Sequence, residues 1–480
     1  MNISSKRNLS MLVDFYEITM ANGLFKKGMG ERECVFEMFF RDIPFKGGYA
    51  IMAGLEQLIE YLNDLHFEKE DISYLRSRNC FDEDFLKYLE NFKFSCDVWA
   101  VKEGTPIFPQ EPIVIVKGPA IQAQLVETMV LLTINFESLI ATKSSRINIA
   151  ANGRTVMEFG SRRAQSYDAA VLGARAAYIG GCGATACVLA DQRYGVKAVG
   201  TMAHSWVQMF DNEYEAFKAY AEIYPDNCTL LIDTYDVLNS GIKNAIKVFD
   251  EILKPKGFRP KGVRIDSGDI AYLSKKVRDI LDESGYADCQ IVASNSLDEY
   301  IITDLFNQGA KIDSFGVGEK LITSTPSSVF GGVYKLVAVE KDGKLVGKIK
   351  LSASIEKITT PGFKSLYRIY DKNTGMAHAD YITLREEVIN EKAPLTLFDP
   401  QAKWKKTTFN NYTIEPLLEN IFERGKLVYK SPELKDIRSY CKSQMDRMWP
   451  EVKRFEYPHN YYVDLSEKLW DLKDKMSSKM

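Results

Sequence analysis

The sequence predicts an α/β protein whose middle is an irregular, TIM-like βα barrel and whose two ends fold together as a mixed α+β domain. Between about 155 and 330, apolar runs end repeatedly in polar or glycine-rich clusters: "TVMEFGSRR", "KAVGTMAHS", "TLLIDTYD", "KGVRIDSGD", "QIVASNS" and "IDSFGVGEK". Segments with apolar positions three and four apart, such as "DIAYLSKKVRDILDESG", fill the gaps as helices. From His204 to Asp233, Asp266, Asn295 and Gly316 the steps are 29, 33, 29 and 21 residues, about what a strand, a turn and a helix consume. Five or six such units in a row predict a barrel rather than an open sheet.

The flanks differ in texture, which divides the chain into 1–140, 141–330 and 331–480. The first part carries an amphipathic helix near 12–25, a strand in "ECVFEMFFR" and further strands in "DVWAVKEGTPIFPQEPIVIVKG". The last is alternating and turn-rich, with "KDGK" as a hairpin turn and helical patterns at 431–447 and 462–475. A formal net charge of −3, from 62 basic and 65 acidic residues, gives no general attraction to nucleic acid or to an anionic membrane. Eight cysteines without a CxxC pair fit a reducing cytoplasm better than a disulfide framework. The most apolar stretch, 126–145, is interrupted by Glu137 and predicts no transmembrane span.

In a parallel βα architecture, reactive groups gather on loops at the carboxyl ends of the strands. His204, Arg162, Asp233, Asp266 and Gly318 occupy such ends, an inventory suited to a phosphorylated substrate. His204, one of four histidines, suits either a cap for the helix that follows or a proton- or phosphoryl-transfer group. Asp233 closes "TLLID", where an unpartnered carboxylate is costly to bury. It serves either as an N-cap or as acceptor of an imidazole N–H that leaves the other ring nitrogen oriented. Arg264 and Asp266, two apart in "GVRIDSGD", share a face: they form a structural ion pair, or Arg264 forks onto a planar carboxylate while Asp266 accepts from sugar hydroxyls. Gly316 and Gly318 allow backbone amides to approach a phosphate. Phe159 offers a stacking surface, and one of Arg162 and Arg163 faces the site.

These motifs, with "DFYEITMANG", "FEMFFRDIPFKGGYAIMAGL", "GTMAHSW", "FGVGEKLITS" and "KLSASIEKITTPGFK", together resemble the nicotinate phosphoribosyltransferase family, of the type II phosphoribosyltransferase class, over nearly the whole chain. The resemblance implies transfer of phosphoribose from phosphoribosyl pyrophosphate to nicotinate, with Mg²⁺ as cofactor and ATP as co-substrate through a phosphohistidine. It implies that His204 is the phosphorylated residue and that Asp233 holds its imidazole. Thr201 and Arg264 contact nicotinate, and Phe159 stacks on it. Tyr16 and Arg41 reach into a neighbouring subunit's site, implying a homodimer with shared active sites. Arg162, Asp266, Gly268, Gly316 and Gly318 surround the phosphoribosyl group. Glu319 departs from the GxGT or GxGS pattern; its carboxylate is expected to turn away while backbone amides and Lys320 meet the anion. Lys357 and Lys364 meet either phosphates or solvent. The nearest rivals are a nicotinamide or quinolinate phosphoribosyltransferase. A barrel aldolase is disfavoured because no quoted strand end presents a Schiff-base lysine.

Overall fold

The computed structural model describes residues 7–354 and 357–478. It divides into two compact units: Ile140–Ser328, and a unit built from the residues up to Leu139 together with those from Val329 onward.

The middle unit is organised by a parallel sheet of six strands in the order Ala184–Thr185, Thr155–Glu158, Ser314–Val317, Gln290–Ser294, Gly262–Ile265, Thr229–Leu231. Strands Ser314–Val317, Gln290–Ser294, Gly262–Ile265 and Thr229–Leu231 are short and mostly buried, as expected of strands covered by helices on crossover connections. Helix starts follow the strand ends with side-chain caps: Asp269 accepts from Tyr272 N before Ile270–Glu283, and Asp298 accepts from Tyr300 N and Ile301 N before Glu299–Asn307. The ladder is not closed into a ring among the described residues. "KAVGT", expected as a strand, contributes one parallel bridge, Ala198 to Thr185, and then runs as a loop into the short helix His204–Gln208. Its apolar part is too brief to sustain a ladder.

The second unit centres on a seven-stranded antiparallel sheet in the order Lys344–Gly347, Gly332–Lys341, Glu33–Phe40, Val114–Pro119, Asp97–Val101, Leu418–Glu423, Lys426–Leu427. N- and C-terminal segments therefore interleave, Glu33–Phe40 pairing with both Gly332–Lys341 and Val114–Pro119. The "KDGK" turn joins its strands with Asp342 at φ 53 and Gly343 at φ 76, the pair of positive φ values a type I′ hairpin demands. A four-stranded sheet adds Tyr412–Pro416, Lys364–Asp371, Ala377–Leu384 and Tyr462–Leu465. The last was expected to be helical; it pairs in parallel with Ala377–Leu384, and the helix begins only at Glu467.

The apolar stretch Ala120–Ala150 is long enough to cross a bilayer, yet 61% of its most apolar window lies buried inside the protein. Its helix Glu127–Ala150 carries Lys143 and Arg146, which hold Glu299 at 2.6 Å and 2.8 Å with all three side chains at most 2% exposed. This is a core helix with a buried charge cluster. Deleting the shared carboxylate is expected to be far worse than deleting a surface pair, because two desolvated cations lose their anion. Glu299→Ala should lower the unfolding free energy by about 3–5 kcal/mol in a denaturant titration.

Candidate active site

At the carboxyl ends of the parallel strands lies a cavity of about 350 Å³, lined by Phe159, Ser161, Arg162, Thr201, His204, Arg264 and Asp266 among others. Six residues singled out in the sequence thus face one hollow: Phe159, Arg162, Thr201, His204, Arg264 and Asp266. The strands deliver them from 155–158 and 262–265, and the loop after Ala198 delivers Thr201 and His204.

Arg264 is the hub of the polar wall. Its Nε donates to Ser294 Oγ at 2.9 Å, Nη1 to Thr201 Oγ1 at 3.1 Å and Nη2 to Asp266 Oδ1 at 2.8 Å. Ser294 also donates to Asp266 Oδ1. Burial pushes the Asp266 carboxyl up, but the Ser294 hydroxyl and the Arg264 guanidinium outweigh it and hold the group below the ordinary carboxylate range. It is therefore an anion at neutral pH. The ion pair and the cavity-facing placement both hold, so the two readings of Arg264 are compatible: the guanidinium is pinned by protein groups at the rim of a ligand-sized space. Its central carbon is 5.8 Å from the Phe159 ring centroid.

His204 begins its helix after Ala203, whose side chain provides no cap. Its Nδ1 lies 3.2 Å from Thr234 Oγ1 and its Nε2 3.8 Å from Asp266 Oδ2, with 41% of the side chain exposed. Asp233 was expected either to accept from one of the ring nitrogens or to cap the following helix. Instead, Asp233 Oδ2 accepts from Asp266 N at 3.0 Å and Ser267 Oγ at 2.6 Å, which ties down the turn after the strand, and its Oδ1 is buried without a partner. Thr234, one position on, meets the imidazole.

Gly316 and Gly318 serve the aromatic wall directly. A Cβ on Gly316 would stand 2.5 Å from Phe159 Cδ2, and one on Gly318 would stand 3.0 Å from Phe159 O. The missing side chains admit Phe159, whose N donates to Val317 O at 2.8 Å. Gly316→Ala should therefore push the ring toward the cavity, costing about 1–3 kcal/mol of stability; thermal unfolding checks this. Gly268, at φ 79, forms the turn between Ser267 and the capping Asp269. Glu319 turns toward Arg163, 3.5 Å away, with both side chains largely exposed. Lys320 Nζ is engaged by Asp298 Oδ2 at 2.7 Å, so the anion role expected of it would first require breaking that pair.

Tyr16 and Arg41 belong to the other compact unit and are not among the cavity's lining residues. Tyr16 sits on the helix Phe15–Lys26, its hydroxyl pushed up by burial and by the Glu127 charge; Arg41 Nε is buried without a partner. Lys364, considered for phosphate contact, is buried against Glu37 Oε2 at 2.9 Å and also donates to Thr360 O and Gly362 O, while Lys357 is exposed. A structural role for Lys364 follows.

Sequence reasoning missed Glu158, Ser161, Thr234 and Ser294. Glu158 is fully buried beneath the cavity wall, accepting from Thr185 Oγ1 at 2.6 Å and from Gly160 N. Burial raises its pKa despite those two donors. The signal was present: an acid directly before "FGS" at a buried strand end must find donors in the adjacent loops.

A buried parallel sheet with a ligand-sized hollow at its carboxyl edge, largely apolar and carrying a few convergent polar groups, is the arrangement of an α/β enzyme that binds a small molecule. Comparison with known proteins narrows the class. The nicotinate phosphoribosyltransferase N-terminal domain matches residues 11–135, the family domain 155–362 and the C-terminal domain 363–473. The nicotinate phosphoribosyltransferase of Bacillus subtilis (strain 168) is 45% identical over 466 residues, 97% of this chain and 94% of that protein. That of Dictyostelium discoideum is 34% identical, with 96% of this chain and 87% of that protein covered. The chain belongs to the nicotinate phosphoribosyltransferase family. Among solved structures, human nicotinic acid phosphoribosyltransferase superposes with TM-score 0.85 at 29% identity, covering 96% of this chain and 99% of that one. A nicotinate-nucleotide pyrophosphorylase from Pyrococcus furiosus, at TM-score 0.71 and 23% identity over 93% and 98% of the two chains, shares the fold.

Proposed function

We propose that this enzyme transfers phosphoribose from phosphoribosyl pyrophosphate to nicotinate in NAD biosynthesis, forming nicotinate mononucleotide and pyrophosphate. The observation that carries it is the cavity itself: a guanidinium, an aromatic ring and an imidazole face about 350 Å³, room for a pyridine ring and part of a sugar phosphate. Arg264 receives the nicotinate carboxylate, with Thr201 beside it, and the Phe159 ring stacks on the pyridine. So placed, the pyridine nitrogen attacks the anomeric carbon while the bond to pyrophosphate breaks, and positive charge spreads from the sugar to the ring nitrogen. Asp266, held as an anion, faces the sugar hydroxyls. Arg162 and the amides around Gly316 and Gly318 face phosphate. The chain's contribution is position and electrostatics, with no covalent bond to the substrate.

Among the described residues no cluster of three metal-ligating side chains occurs. Asp266 and the unpartnered Asp233 Oδ1 are the carboxylates that would hold Mg²⁺. Such an ion, when bound, neutralises the departing pyrophosphate. ATP couples through phosphorylation of His204, whose Nδ1 lies beside Thr234 Oγ1 and whose side chain is partly exposed. We read the parallel unit as the irregular barrel of the type II class, a reading supported by its run of parallel βα units and by likeness to the human enzyme, although its ladder is open among the described residues. We read the protein as a cytoplasmic homodimer in which Tyr16 and Arg41 complete a neighbour's site; its eight cysteines are all free, as a reducing compartment requires.

The test is to incubate the purified chain with nicotinate, phosphoribosyl pyrophosphate and Mg²⁺, with and without ATP. Nicotinate mononucleotide and pyrophosphate should appear in equal amounts, faster with ATP. No product under either condition would overturn the assignment.

A further inference from the structure

Most polar side chains around the cavity are already committed within the protein. Arg264 spends its nitrogens on Ser294, Thr201 and Asp266; Thr201 Oγ1 accepts from Arg264 and points to Met202 O; His204 Nδ1 meets Thr234. Ser161 differs. Among the described residues lining the cavity, its Oγ is the buried side-chain polar atom that makes no hydrogen bond in the protein. A buried hydroxyl without a partner costs about as much as a lost hydrogen bond, so such an atom beside a ligand-sized space calls for a ligand acceptor.

The backbone holds this hydroxyl in place. Ser161 opens the 3-10 turn Ser161–Arg163, whose entrance is clamped from below: Gly160 N donates to the buried Glu158 carboxylate, and Thr185 Oγ1 holds that carboxylate's other oxygen at 2.6 Å. Arg163 N then closes onto Gly160 O at 2.7 Å. A side chain with a single rotor on a fixed turn forms a hydrogen bond at little entropic cost. With Arg162 next in the chain and Arg264 on the same cavity, the local potential favours a negatively charged acceptor.

We propose that Ser161 is a further substrate-binding residue, whose Oγ–H donates to an anionic oxygen in the cavity. Resting on the reaction proposed above, that oxygen belongs either to the nicotinate carboxylate or to a phosphate of phosphoribosyl pyrophosphate, and the two substrates' KM values separate these sources. The Ser161→Ala variant removes one oxygen atom and leaves the turn's backbone bonds intact. Its KM should rise about tenfold for one substrate, with the other KM, kcat and the thermal midpoint within twofold or a degree or two of the parent. A rise confined to nicotinate assigns the carboxylate; a rise confined to phosphoribosyl pyrophosphate assigns the phosphate. Both KM values unchanged, or both raised together with a lowered midpoint, would overturn the proposal. Parent enzyme that forms no nicotinate mononucleotide would instead overturn the underlying reaction.

Discussion

Replacing Arg264 with alanine should lower kcat/KM for nicotinate by about a thousandfold, roughly 4 kcal/mol of transition-state stabilisation. Two losses combine. The substrate carboxylate loses a charged, fork-shaped donor, and Asp266, Ser294 and Thr201 lose the cation that organises them. Asp266 would respond measurably. Its carboxyl lies below the ordinary range in part because of Arg264, so the variant's pKa there must rise, and the carboxylate's share of the site should be lost at higher pH than in the parent. Arg264→Lys keeps the charge yet should recover little, because an ammonium cannot serve three differently placed acceptors in one plane. Steady-state kinetics on both variants check this, with circular dichroism to show that the sheet is intact.

His204→Ala should abolish stimulation by ATP while leaving a slow, ATP-independent transfer. Phosphorylating the imidazole, whose Nε2 is 3.8 Å from Asp266 Oδ2, would bring nearly two negative charges into the neighbourhood of that carboxylate. That repulsion is large enough to displace the carboxylate from its present geometry and alter the site seen by phosphoribosyl pyrophosphate. Radiolabel from the γ-phosphate of ATP should enter the parent protein in an acid-labile form and be absent from the variant. Unchanged ATP stimulation in the variant would remove His204 from the mechanism. Thr234→Val offers a finer control, reducing labelling by freeing the ring without removing it.

The legible part of the fold was its rhythm. Strands 229–231, 262–265, 290–294 and 314–317 fall inside the apolar runs that announced them, because strands covered on both faces read as near-continuous apolar runs. "KAVGT" misled because so short an apolar run reads the same whether it pairs along its length or at one residue. The site was legible to the level of the loop. Which residue of "DTYD" would meet His204 was not, since consecutive side chains diverge at a strand's end and one position decides between Asp233 and Thr234. Gly316 was read as letting backbone amides approach a phosphate; that its missing side chain also admits the Phe159 ring is a long-range contact with no local signature. Lys364 was expected to meet either a phosphate or solvent; its anion, Glu37, lies more than three hundred residues away, where no local pattern announces it.

The central claim is that the cavity around Arg264 is built for a pyridine carboxylate. The most direct measurement is kcat/KM for nicotinate, nicotinamide and quinolinate on the same preparation with saturating phosphoribosyl pyrophosphate. A preference for nicotinate over nicotinamide of at least about a hundredfold, disappearing in Arg264→Ala, is the predicted result. Equal use of the amide by the parent enzyme, or a preference that survives loss of the guanidinium, would contradict it.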